Sequence, residues 1–286
     1  NKKGEPKVHL CGAACHDEGP LSEIKRERDF TMYKIDYNSY RSVASFGHRV
    51  RFLVLHYTAQ NFADSVKSLT GKSVSAHYLV PDPTEATYQA AGFSGVRIFN
   101  LVDENERAWH AGASQWGTRS NINDTSIGIE IVNLASGDGG NITFPPFNPQ
   151  QIEAVTQLAQ NILQRYPDIS PVNVVAHSDI SPGRKSDPGP QFPWQQLYQA
   201  GVGAWYDEAT KQQRQQEYCS QGLPAQADLL KLFAQYGYDT SAANTAEGYR
   251  QLVRAFQLHF RQQKYDGVMD VETAAVLRAL VDKYAA

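Results

Sequence analysis

The apolar positions of this chain fall into short blocks whose period changes along its length. "VRFLVLHYT" (50–58) is a near-continuous apolar run rich in Val and Leu. That is the pattern of a strand covered on both faces, and it ends at His56. "SAHYLV" (75–80) and "VRIFNLV" (96–102) predict two shorter strands, and "TSIGIEIVNL" (125–134) predicts another buried one. The period then becomes helical. Asn148 suits an N-cap and Pro149 the first helical position. Behind them Ile152, Val155, Leu158, Ala159, Ile162 and Leu163 recur at helical spacing. "VNVVAHSDI" (172–180) predicts a fifth strand. Strands alternating with helices imply an α/β sheet with covered faces, and in such sheets ligands gather beyond the strand ends.

The pattern changes after Trp205. "DEATKQQRQQEYCSQG" (207–222) is polar and Gln-rich, a helical linker or surface helix. "ADLLKLFAQYGY", "GYRQLVRAFQLHF" and "DVETAAVLRALVDKY" then predict three helices between Pro224 and Ala286. The expected organisation is a tail or linker over 1–30, a main domain over 31–207, a linker over 208–223 and a helical module over 224–286.

Composition narrows the classes of function. The 286 residues are 41% hydrophobic and 20% charged, normal for a chain that buries a core. A formal net charge of -3 supplies no global basic field, which argues against nucleic acid as a partner. No apolar run approaches the roughly 18–20 residues of a membrane span. A start at Asn1 rather than Met reads as a processed or trimmed chain, and residues 1–30 are polar and charged with no signal-peptide core. Three cysteines, Cys11, Cys15 and Cys219, do not make a disulfide framework. Cys11 and Cys15, near His9 and His16, amount to half of a structural zinc site whose other half is missing.

Candidate chemistry concentrates in "HSDISPGRKSDPGP" (177–190). Pro182, Pro188 and Pro190 each lack an N–H and restrict the residue before them, so the stretch reads as a constrained loop. It offers His177 and Asp187, ten positions apart. His56, at the end of a buried strand, is a third donor. Two His and one carboxylate are a known catalytic zinc set. The same residues also suit ordinary structural work: a strand-end His that is simply hydrogen-bonded, and an Asp that opens a turn before Pro188.

Six stretches change that balance: "FLVLHYTAQNF" (52–62), "SAHYLV" (75–80), "AWHAG" (108–112), "NDTSIGIEIVN" (123–133), "VVAHSDISPGRKSDPGPQFPW" (174–194) and "GVGAWYD" (201–207). With them, in this order, the chain resembles the zinc-dependent N-acetylmuramoyl-L-alanine amidases of the AmpD/AmiD type over about residues 34–207. The likeness is greatest to outer-membrane-associated members with a C-terminal extension. The resemblance implies a mixed central sheet flanked by helices, with a C-terminal three-helix module. It implies zinc ligands at His56, His177 and Asp187, a general base at Glu130, and oxyanion stabilisation by Lys185. A carboxylate is a suitable proton acceptor, and Glu130 stands in an otherwise apolar strand, where a buried acid needs a partner or a task. Substrate contacts are expected from His77, His110, Trp109, Asn133 and Arg184, with His77 and His110 alternatively orienting catalytic groups. Trp109 and Trp116 offer either an apolar face to sugar or peptide, or plain packing. The implied partners are peptidoglycan and muropeptides. The implied place is the periplasm, with outer-membrane association and a lipid anchor on the precursor as its route.

"LLKLFAQYGYD", "LVRAFQLHF" and "YDGVMDVETAAVLRAL" resemble the three-helix peptidoglycan-binding domain, with Asp266, Gly267 and Thr273 in its "DG…T" element. The earlier copy of that element is replaced by "DTSAANTAEG" (239–248), which departs from the pattern and leaves a helical cap on the main domain as the other reading. The expectation is hydrolysis of the amide between N-acetylmuramic acid, or its anhydro form, and L-Ala of the stem peptide. Its rivals are a non-catalytic peptidoglycan-recognition protein, which would lack a ligand, and a zinc peptidase cutting between stem amino acids.

Overall fold

The computed structural model describes Ser39, residues 49–137 and residues 141–285. The expected tail over 1–30, with His9, Cys11, Cys15 and His16, lies outside the described residues. In chain order the elements are β1 (Phe52–Tyr57), α1 (Phe62–Leu69), β2 (Tyr78–Val80), α2 (Ala86–Ala90), β3 (Phe99–Asn100), β4 (Gln115–Trp116), β5 (Arg119–Ser120), β6 (Ser126–Ile131), α3 (Pro149–Arg165), β7 (Val174–Ala176), α4 (His177–Ile180), α5 (Trp194–Gln199), α6 (Glu208–Gln221), α7 (Gln226–Tyr236), α8 (Ala246–Phe260) and α9 (Val271–Tyr284).

The main sheet has the order β3-β2-β6-β1-β7. β1 runs parallel to β6 and β7, β2 runs parallel to β6, and β3 pairs antiparallel with β2. The mixed α/β architecture expected from the alternation is thus the one found. β1 is apolar up to His56 because it is covered on both faces: Leu53, Val54 and Leu55 are fully buried. α3 opens as expected, with Asn148 Oδ1 accepting from the Gln150 N–H and Pro149 at the first position. Its buried face presents Ile152, Val155, Ala159 and Ile162. Gln151, also buried, donates from Nε2 to the carbonyls of Val80 and Val132, which ties α3 to the ends of β2 and β6.

Three expected strands are shorter than their apolar patterns. The 75–80 block contributes only Tyr78–Val80, and the 96–102 block only Phe99–Asn100. His77 spends its N–H, carbonyl and ring on Gly128, Leu101 and Glu106, and its side chain serves as a latch. The 172–180 block is strand only over Val174–Ala176, and His177–Ile180 then turns into one helical turn. The stretch 177–190 is therefore not all loop. Its first turn is closed by Asp179, whose Oδ2 accepts from the Ala176 N–H at 2.8 Å. Pro182 then forbids any continuation.

Residues 208–223, expected as a linker or surface helix, contain α6. It lies along α9, with Arg214 paired to Asp282 at 2.8 Å and Tyr218 buried. α7, α8 and α9 match the three predicted helices. Their Phe233, Phe256 and Phe260 share one apolar cluster with Ile129 and Val175 of the sheet. Trp116 is also in this cluster, against the rings of Tyr236 and Tyr238, so it packs in the core and offers no face to a ligand. The described residues from 49 onward belong to one compact unit. Among the described residues no helix is long and apolar enough to cross a membrane.

One glycine decides how closely β6 approaches His110. A Cβ on Gly128 would lie 2.6 Å from the His110 ring, too close for any real contact. Gly128→Ala should therefore destabilise the protein by roughly 1–3 kcal/mol, the usual range for overpacking a filled core. Urea unfolding will read this as a lower midpoint at unchanged slope. A wild-type midpoint would mean that the ring yields freely.

Candidate metal centre

Three side chains converge at the carboxyl ends of β1 and β7. His56 leaves β1 one residue before its end, His177 follows directly on β7, and Asp187 returns on the loop after α4. His56 Nδ1 lies 3.0 Å from His177 Nδ1 and 2.9 Å from Asp187 Oδ2, and His177 Nδ1 is 3.0 Å from the same oxygen. All three residues are buried. Three atoms cannot satisfy one another pairwise through hydrogen bonds, since each imidazole nitrogen offers one proton or one lone pair. A common partner at their centre resolves the conflict. The donors of a tetrahedral site with bonds of about 2.0–2.1 Å stand about 3.3 Å apart, close to the triangle seen here.

The far side of each ring supports the same conclusion. His177 Nε2 faces the Ala111 carbonyl at 3.0 Å. A carbonyl only accepts, so this contact takes a proton on Nε2, which leaves the Nδ1 lone pair toward the triangle; Arg184 Nη2 stands farther from Nε2, at 3.3 Å. His56 reaches the same state when Nε2–H donates to His110 Nδ1 at 2.9 Å and His110 Nε2–H donates to Ser126 Oγ at 3.0 Å. Burial first, and then the neighbouring His177, push the His56 imidazole down to about 4, so the ring is neutral near pH 7. Burial alone would raise the Asp187 carboxyl; the charges and hydrogen bonds of His177 and His56 outweigh it and hold it below the ordinary range. Two imidazoles, each offering a nitrogen lone pair, and one carboxylate are what a divalent cation such as zinc takes.

Glu130 is the register partner of His56 across the β1–β6 pair, so the two side chains leave the sheet on the same face. Its Oε2 is buried and has no hydrogen-bond partner. Burial first, and then the Asp187 charge, raise its carboxyl well above the ordinary value, against the opposing pull of Lys185. Glu130, Lys185, His177 and Asp187 line one cleft with Tyr57, Thr58, Gln60, Val74, Trp109 and His110. Among the described residues the Lys185 ammonium makes no hydrogen bond or ion pair, its only bond being from the backbone N–H to the Ser181 carbonyl, which leaves the ammonium free for a ligand. Trp109 is 67% exposed at the cleft edge, an apolar face open to a partner.

Three expected substrate contacts do not reach this cleft. His77 is fully buried, with Nδ1 accepting from the Gly128 N–H and Nε2 facing the Glu106 carbonyl. Asn133 is buried against its own loop, donating to the Pro145 carbonyl and accepting from the Ala135 N–H. Arg184 turns its guanidinium to the Ala111 and Ala113 carbonyls and to Ser181 Oγ, so it braces the segment that holds His177. His110 lines the cleft, but its ring nitrogens are engaged by His56 and Ser126, and it orients the ligand. Asn123 adds a support that the sequence did not disclose: its Oδ1 accepts from both the His110 and Ala111 N–H groups. The Ala111 carbonyl carries no side-chain signal at all. Gly128 does, since a glycine inside an apolar strand marks a close approach.

A family model described as N-acetylmuramoyl-L-alanine amidase matches residues 46–190, which contain His56, His177, Asp187, Glu130 and Lys185. The chain is 47% identical over 241 residues to the N-acetylmuramoyl-L-alanine amidase AmiD of Escherichia coli, across 82% of this chain and 84% of that protein. The structure of AmpDh3 from Pseudomonas aeruginosa, solved in complex with anhydromuramic pentapeptide, superposes with a TM-score of 0.85 at 60% identity. It covers 89% of this chain and 100% of its own. The complex of E. coli AmiD with anhydro-N-acetylmuramic acid-L-Ala-D-gamma-Glu-L-Lys superposes with a TM-score of 0.74 at 45% identity, over 86% of this chain and 94% of the other. A family match over half the sequence, and likeness at this level along most of it, leave one conclusion: the chain belongs to the N-acetylmuramoyl-L-alanine amidase family.

Proposed function

We propose that the protein is a zinc hydrolase that cuts the amide between N-acetylmuramic acid, or its anhydro form, and the L-Ala of peptidoglycan stem peptides. The observation that carries this reading is the triangle of His56, His177 and Asp187 beside Glu130 and Lys185, at the floor of an open cleft. The complexes of AmpDh3 and AmiD with anhydromuramyl peptides support the choice of substrate. His56, His177 and Asp187 would hold zinc, which when bound would supply Lewis acidity and make water acidic enough to attack near neutral pH.

The protein's own groups do the rest. Glu130 takes a proton from the attacking water and gives it to the leaving amine of L-Ala. Its raised pKa suits this double task, since a strongly acidic carboxyl would hold the proton too weakly to carry it across. Lys185 faces the cleft as an unpaired cation and meets the negative charge that grows on the carbonyl oxygen. Trp109 offers its exposed face to sugar or peptide. The same reading puts the protein in the periplasm, where polymer and released fragments occur, with outer-membrane attachment through a lipidated precursor. Residues 224–286 enter it as a helical module of peptidoglycan-binding type joined to an amidase domain over 31–207.

Mass spectrometry of digests of purified sacculi and of anhydromuramyl peptides tests the bond. The expected products are a free peptide beginning with L-Ala and a sugar carrying the lactyl acid; cleavage between stem amino acids would make the protein a peptidase instead. His177→Ala should lose zinc by elemental analysis together with activity, and full zinc occupancy in that variant would remove His177 from the ligand set. Glu130→Ala should keep its zinc while turnover falls about 10²–10⁴-fold, the usual loss for a general base. A near-native rate would leave Glu130 a structural residue.

A further inference from the structure

Asp179 is a fully buried carboxylate that the proposed chemistry does not use. It stands on α4, two residues after the ligand His177. Its Oδ1 accepts from the Tyr238 hydroxyl at 2.6 Å, and its Oδ2 accepts from His259 Nδ1 at 2.7 Å and from the Ala176 N–H at 2.8 Å. The two side-chain donors come from 59 and 80 residues away, from the segment after α7 and from α8. Burial first, and then the Asp179 charge, hold the Tyr238 hydroxyl well above its ordinary value, so it stays a donor. The His259 ring is clamped by stacking on Trp194 at 3.8 Å between centroids. A carboxylate without water holds its position only while such donors hold it.

The clamp acts on the metal-ligand turn. Asp179 bonds the backbone immediately before His177, and the Ser178 N–H donates to the Asp187 carbonyl at 3.0 Å, joining the turn to the third ligand. α8 also reaches the other end of the loop, where Arg254 donates to Ser186 Oγ at 3.2 Å.

We infer that Tyr238 and His259 are positioning residues for the metal centre: through Asp179 they fix the turn that carries His177, so the C-terminal helices complete the hydrolytic site. This inference rests on the zinc reading above. On this account the helices matter for small soluble substrates as much as for polymer.

The test uses the full chain with Tyr238→Phe, with His259→Phe, which keeps a stacked ring without the donor, and with His259→Asn, which restores an N–H near the place of Nδ1. Zinc affinity is measured by competition with a chelator, melting temperature on the metal-free proteins, and kcat and KM on a soluble anhydromuramyl peptide. Loss of an outer hydrogen-bond partner of a metal site typically costs 10–100-fold in affinity or activity. Y238F and H259F should show a loss of this size in zinc affinity, a lower kcat at near-constant KM, and recovery of most of both in H259N. Should H259F prove too unstable to purify, Y238F, which deletes one hydroxyl, carries the same readout. Wild-type zinc affinity and kcat in Y238F, with or without a lower melting temperature, would make the contacts purely structural and overturn the inference. A wild-type protein that takes up no zinc would overturn the zinc reading itself.

Discussion

Three polar atoms held about 3 Å apart, away from water, cannot all pair with one another by hydrogen bonds at once, and much of this structure keeps them in that position. His56 lies on β1, His177 directly follows the neighbouring parallel strand β7, and Asp187 returns on a loop fixed by prolines and by one helical turn. The β1–β7 pairing sets the spacing of the two rings. Close packing then transmits it, since cores made of fully buried strands yield little. The arrangement suits a divalent cation, because burial keeps His56 neutral while Asp187 stays ionised.

A ring of hydrogen bonds outside the triangle controls which nitrogen faces inward. The Ala111 carbonyl sets His177, and the chain from His56 through His110 to Ser126 sets the other ring. Asn123 and Arg184 hold the segment that supplies Ala111. Gly128 makes room for His110. These residues are as much part of the site as the ligands, since a ring free to rotate would present the wrong nitrogen. Glu130 and Lys185 face the cleft with their partners unmade, as expected for groups that meet substrate.

The C-terminal helices are continuous with this arrangement. They share the apolar cluster of the sheet, stack Trp194 on His259 and close the carboxylate of Asp179. The family model ends at residue 190, yet the hydrogen-bonded support of the His177 turn extends to residue 259. A boundary drawn by likeness to a family and a boundary drawn by contacts thus fall in different places.

Local pattern was enough for the elements it governs. The apolar run of β1, the Asn148–Pro149 start of α3 and the three late helices depend on burial and capping within a few residues, and the sequence determined them. The proline-rich loop with His177 and Asp187 also stood out by itself, because few solvated loops combine ring-restricted backbone with that donor set. Strand lengths at β2, β3 and β7 did not follow from pattern, since pairing partners end strands, and those partners lie far along the chain. The same holds for His77, Asn133 and Arg184, whose polar groups were legible as chemistry but are spent on backbone carbonyls and N–H groups. Asp179, Tyr238 and His259 carried no joint signal, because 80 residues separate the ends of the set and nothing in either stretch demands the other. Sequence, through its resemblance to a family, named the residues whose nitrogen and oxygen would suit a metal; only the tertiary structure brought them together and decided which others hold them still, because a buried hydrogen bond is defined by distance in space.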